Sequence, residues 1–150
     1  MDTMDVKGQA SVEYLLLALV FLIILGSVTV PLAGDAIGNS TDVSHASDAS
    51  AAINSIANAV GIVYSNGPGA KRTINVYFSQ GGTLNYNSAN STIYMLVFIK
   101  STGTNKTIDA NVPIGVTFAG TNPVLSQTNY NATVTWANGT SNVNVALTPS

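Results

Sequence analysis

The chain has 150 residues, 46% of them hydrophobic and 8% charged, with five Lys/Arg against seven Asp/Glu and no cysteine. That length bounds one compact domain plus an extra element, and the absence of cysteine excludes disulfide frameworks, thiolate metal sites and cysteine nucleophiles. With no basic cluster larger than Lys71-Arg72 there is no electrostatic footprint for a phosphate backbone, so no nucleic-acid partner is expected.

In chain order, the first 13 residues, MDTMDVKGQASVE, are polar and carry a single basic residue, Lys7. Residues 14–34, YLLLALVFLIILGSVTVPLAG, contain no charged side chain. About 20 apolar residues at roughly 1.5 Å each span a bilayer core, so a membrane segment is expected here. A conventional secretory signal would place its small-x-small cleavage site after this run, and Gly34-Asp35-Ala36 is the best candidate. Glu13 points elsewhere: a carboxylate abutting Tyr14 and the apolar run is costly unless paired. It either has an assembly partner or marks the membrane boundary of an anchor.

Lys7-Gly8-Gln9-Ala10-Ser11-Val12-Glu13-Tyr14 resembles the class III signal peptide of archaeal type IV pilins, a Q-x-S-x-E-Y sequence cut before its glutamine by a dedicated prepilin peptidase. The resemblance covers about 30 residues, counting the apolar run behind the motif. It implies a cut between Gly8 and Gln9 that leaves the apolar helix on the mature protein, and an assembly role for Glu13 and Tyr14. It also implies a membrane-resident precursor, later an extracellular pilus on the cell surface, and partners in the form of further copies of the same subunit, an assembly platform and an ATPase. The new α-amino group would lie four residues from Glu13, at a helix N-terminus where a carboxylate is favoured.

Beyond Gly38, Ala46, Ala49, Ile53, Ile56, Val60 and Val63 follow the spacing of a helix stripe, with Asp42, Ser47, Asp48, Asn54 and Asn58 on the polar face. Helix is therefore expected over 9–64, with Gly26, Pro31, Gly34 and Gly38 favouring a kink or local unwinding between its halves. The lone histidine, His45, reads as a surface residue of that helix.

From Ser65-Asn66-Gly67-Pro68-Gly69 the helical period stops and β-type runs begin. Seven strands are predicted over 72–78, 83–86, 92–100, 106–112, 114–119, 131–137 and 142–147. Gly81-Gly82 and Asn138-Gly139 read as hairpin turns, 92–100 as a central strand, and Pro113 as marking an edge or bend. The expected fold is α+β: a long hydrophobic helix followed by an antiparallel β-sandwich-like head over 65–150, with residues 1–8 as a removable leader. The head carries N-x-S/T sequons at Asn90, Asn105, Asn131 and Asn138, with a fifth at Asn39, and these four are candidate glycosylation sites on an exposed surface.

No catalytic constellation assembles from these residues. His45 lies on the stalk, and the carboxylates after Asp48 reduce to Asp109, so triad, paired-carboxylate and hard-cation chemistry are poorly supplied. Neither an enzyme nor a cofactor-dependent protein is expected. The leading expectation is a structural subunit of a type IV-like pilus acting as an adhesion filament. The alternatives are a monomeric membrane-anchored surface binding protein and a conventionally secreted β-domain released after Ala36.

Overall fold

The computed structural model describes the backbone of residues 4–120 and 122–150, and the side chains of residues 11–120 and 122–150. Its first element is a helix, α1, over Met4–Asn66. Contacts divide the chain into two compact units, Met1–Asn39 and Ser40–Ser150, so the last part of α1 is grouped with the head. The helix runs on through Pro31, Gly34 and Gly38, without the local unwinding expected there.

The helix stops at a glycine. The Gly67 N–H donates to the carbonyls of Val63 and Tyr64, 3.2 Å each, and the Gly67 backbone is left-handed at φ 85°. Glycine takes that conformation without a Cβ penalty, which satisfies the last carbonyls and turns the chain toward the sheets.

Eight strands follow among the described residues: β1 Lys71–Phe78, β2 Gly82–Asn87, β3 Thr92–Ile99, β4 Thr104–Asn111, β5 Gly115–Phe118, β6 Val124–Leu125, β7 Thr128–Thr135 and β8 Asn142–Pro149. They form two four-stranded sheets, ordered β1-β7-β8-β5 and β4-β3-β2-β6. The α+β class and the sandwich-like head are as expected, with β3 interior and β5, after Pro113, at a sheet edge. One pairing departs from the all-antiparallel expectation: β5 runs parallel to β8, from Gly115↔Asn142 to Phe118↔Val145.

Three local readings are corrected. Gly81-Gly82 does not turn a hairpin, since β1 pairs with β7 while β2 pairs with β3 and β6. These glycines instead permit close approach as the chain passes from one sheet to the other. A Cβ on Gly82 would lie 2.5 Å from Met95 Cε, and one on Gly81 would lie 3.1 Å from the Leu125 carbonyl oxygen. Asn138-Gly139 does lie between paired strands, yet the last β7–β8 partners are Thr135 and Asn144, so the link is a longer loop. Within it the Thr140 N–H closes on the Ala137 carbonyl at 3.3 Å. Trp136 lies beyond the end of β7, where its N–H bonds the Ala70 carbonyl (3.0 Å) and its carbonyl accepts from Gly69 (2.7 Å), so the chain there follows the approach to β1. The third correction is β6, a two-residue strand that was not anticipated.

One apolar core joins both sheets and the head-proximal part of α1. Inward rows repeat every second residue, as strand geometry requires: Val76 and Phe78 on β1, Ile93 and Met95 on β3, Ala132 and Val134 on β7, Val143 and Val145 on β8. Against them α1 sets Ile53, Ile56, Val60 and Val63, none more than 1% exposed. Ala52, Ala57 and Ala59 complete a buried stripe broader than the predicted one, while Ala46 is only half-buried. Tyr64 stacks on Trp136 at 5.7 Å at the edge of this core, and within it Phe78 meets Tyr130 edge-on at 6.0 Å.

Candidate membrane and assembly segment

Two stretches of α1 carry the features relevant to function, one in each unit. In the first unit every residue from Ser11 to Ile37 is exposed. This includes Leu15, Leu16, Leu17, Phe21, Leu22, Ile23 and Ile24, each more than half exposed. A helix apolar on all sides is stable only against lipid or against other apolar helices. The segment is long and apolar enough to cross a membrane, and none of its most apolar window is buried within the protein.

Polar side chains inside this stretch are few. Ser27 Oγ donates to the Ile24 carbonyl at 2.9 Å. Pro31 has no N–H for the Ser27 carbonyl four residues earlier, so one ladder bond is missing there. Gly26, Gly34 and Gly38 meet no neighbour that a Cβ would touch, so close packing within one chain does not account for them.

At the start of the run, Glu13 and Tyr14 are both exposed, Tyr14 at 74%. Gly8 and Gln9 lie on the helical backbone of α1, and their side chains fall outside the described residues. The motif is thus carried on a helix, one turn separating Gln9 from Glu13.

In the second unit a polar anchor fixes α1 to the head, and it corrects two readings of the sequence. Asp42 is not on a solvated polar face but 5% exposed. Its Oδ2 accepts from the Ser101 N–H at 2.7 Å and its Oδ1 from the Lys100 N–H at 3.0 Å, capping the β3–β4 turn with two charge-assisted bonds. These bonds hold the Asp42 carboxyl below the usual carboxylate range. The Ser101 amide contributes most, followed by the Ser101 side chain, the Lys100 amide and the charge of His45, against an opposing desolvation effect.

His45, one turn further on, is half-buried, with Nδ1 3.0 Å from the hydroxyl of Ser79, a buried residue just past β1. Asp42 and His45 therefore tie one helix face to loops of both sheets. No signal in the local sequence marks this role, because the partners lie 58 and 34 residues downstream.

The sequons occupy different settings. Asn90 is exposed in the β2–β3 turn, Asn105 is exposed on β4, and Asn138 is exposed in the β7–β8 loop. Asn131 is half-buried on the interior strand β7, where its Oδ1 accepts from Asn75 Nδ2 at 3.3 Å. Asn39 is exposed on α1.

Among the described residues no group of three or more His, Cys, Asp or Glu could hold a metal ion. No protein-family model, no curated protein and no solved structure matches the chain.

Proposed function

We propose that this chain is a structural subunit of an archaeal type IV-like pilus, cut between Gly8 and Gln9, held in the membrane by residues 14–34 and then packed through the same helix into a filament core. The observation that carries the proposal is the helix itself: bulky apolar side chains point outward on all sides over 14–34, in a chain whose head already has a filled core. Such a surface requires an apolar surrounding in both the precursor and the product. Lipid supplies it before assembly, and identical helices from other subunits supply it afterwards.

Burying each aliphatic side chain is worth about 1.5–3 kcal/mol against water, yet lipid already offers most of that gain. Assembly from the bilayer therefore needs an external machine, in keeping with the platform and ATPase that the motif implies. Glu13 supplies register. Its carboxylate meets the α-amino group of Gln9 on a neighbouring subunit, and an ion pair in an apolar surrounding penalises any axial slip that leaves one charge unpaired.

Replacement of Glu13 by Ala tests this reading. The expected result is a subunit that is still processed and still membrane-bound but absent from sheared surface filaments. Normal incorporation of the Glu13→Ala subunit would remove Glu13 from the assembly mechanism.

A further inference from the structure

The outer face of the β4-β3-β2-β6 sheet carries an apolar row that the core does not use. On β3, Met95 and Val97 point inward at 0% exposure, so Leu96 and Phe98 point outward, 45% and 47% exposed. Large side chains at adjacent outward positions of an exposed sheet call for a cover. The neighbouring strand offers one: Phe98 lies opposite Asn105, and Leu96 opposite Thr107. Directly opposed residues of an antiparallel pair share a face. The asparagine and the threonine of the Asn105-Lys106-Thr107 sequon therefore both stand beside the apolar row.

The hydrogen bonding makes this proximity closer. The Phe98 N–H donates to Gln80 Oε1 at 3.1 Å, and the Phe98 carbonyl accepts from Gln80 Nε2 at 3.3 Å. Both backbone groups of Phe98 are thus directed to the Gln80 amide, which stands in for a neighbouring strand, and neither is directed to β4. Phe98 and Asn105 consequently form the non-hydrogen-bonded type of pair, in which the side chains approach most closely. By the same geometry the N–H and C=O of Asn105 face the free edge of β4, an end strand of its sheet.

The geometry points to N-glycosylation of Asn105, with the first sugar lying over Phe98 and Leu96. In the transfer, the C1–oxygen bond of a lipid phosphate-linked oligosaccharide breaks and a bond from C1 to Asn105 Nδ2 forms. The carboxamide loses one proton and the lipid phosphate leaves. Asn105 is exposed at a sheet edge where an enzyme can reach both side chain and backbone, and it has no hydrogen-bonded side-chain partner among the described residues. The C–H face of a pyranose stacks on an aromatic ring, so the attached sugar covers the apolar row that the other described residues leave about half exposed. It also blunts an eight-residue edge strand that would otherwise offer unpaired backbone groups to another chain. Asn131, tied to Asn75 on an interior strand, offers none of these features.

The inference rests on export of the head to the cell surface, as the pilus reading requires. The test is mass spectrometry of the tryptic peptide Ser101–Lys106, in which Asn105 is the sole asparagine, from full-length protein taken from its native cells. Its companion is protease treatment of intact cells, which reads export alone. The expected result is a head cleaved by external protease and an Asn105 peptide carrying a glycan that disappears in Thr107→Ala. Stacking is read by thermal unfolding of the full chain in detergent. Asn105→Gln lowers Tm in the parent protein, and the same change has no effect in a Phe98→Ala background.

An unmodified Asn105 peptide from protein whose head is cleaved outside the cell overturns the inference and leaves the pilus reading standing. A head protected from external protease overturns both. A glycosylated Asn105 whose removal lowers Tm equally with and without Phe98 overturns the stacking.

Discussion

The two stretches of α1 are similar in local conformation and opposite in what their apolar side chains do. Over 14–34 the helix is apolar on every side and exposed throughout. Over 49–63 it is amphipathic, with Ile53, Ile56 and Val60 sealed at 0% exposure against two sheets. The difference shows that helix formation and helix burial are separate problems. The second stretch finds its apolar surrounding within its own chain, whereas the first must find it in lipid or against other apolar helices. One covalent element thus supplies both part of a folded core and an apolar surface that the fold leaves open.

The comparison breaks most visibly at Ile56. Ile56→Ala removes a fully buried side chain from the shared core and is expected to destabilise the head by about 2–5 kcal/mol, measured as a loss of thermal or denaturant stability of the full chain in detergent.

The next effect concerns the anchor and depends on pH. The Asp42 carboxyl titrates lower in the fold than its ordinary 3.8, so its contribution is complete at pH values above the unfolded-state pKa and is lost as pH falls through the folded one. Head stability of the parent chain should therefore drop as the pH is taken below about 4, and Asp42→Asn should flatten that drop while lowering stability at neutral pH. A parent and a variant with parallel acid profiles would remove Asp42 from the account.

Gly67→Ala gives a smaller effect. A Cβ there meets no atom within 4 Å, so only the left-handed backbone at φ 85° resists it, at a cost of about 1 kcal/mol. The smallest effect on the head is that of Leu22→Ala. Leu22 is 65% exposed and lies outside the compact unit that contains the head. Head unfolding should be unchanged within error, and any defect should appear only in membrane retention or filament yield. A clear drop in head stability would show that the two stretches of α1 are not independent.

Much of this division was legible in the sequence because it rests on periodicity. The uncharged run from Tyr14 to Gly34, the stripe from Ala49 to Val63 and the alternation in 72–78 and 92–100 each report a local environment that repeats along the chain. What periodicity does not carry is which strand pairs with which. Gly81-Gly82 has the composition of a hairpin turn, but the absence of Cβ atoms serves contact with Leu125 and Met95 instead.

The two residues of β6 are too few to show alternation. Asp42 shows the same limit for polar groups. Its partners are backbone amides at Lys100 and Ser101, and every residue except proline has such an amide, so no side-chain pattern could announce the bond. In the candidate segment, Gly8, Gln9, Glu13 and Tyr14 were found as a motif because the resemblance rests on the local order of residues alone, which the sequence displays without any knowledge of the fold.

The most direct test of the pilus reading is the identity of the first residue of the protein on the cell surface, read from the mass of its first proteolytic peptide. A start at Gln9 is the predicted result, the apolar helix being retained behind a pilin-type cut. A start at Met1, which would make the segment a permanent anchor, or near Ile37, which would make the head a secreted domain, would contradict it.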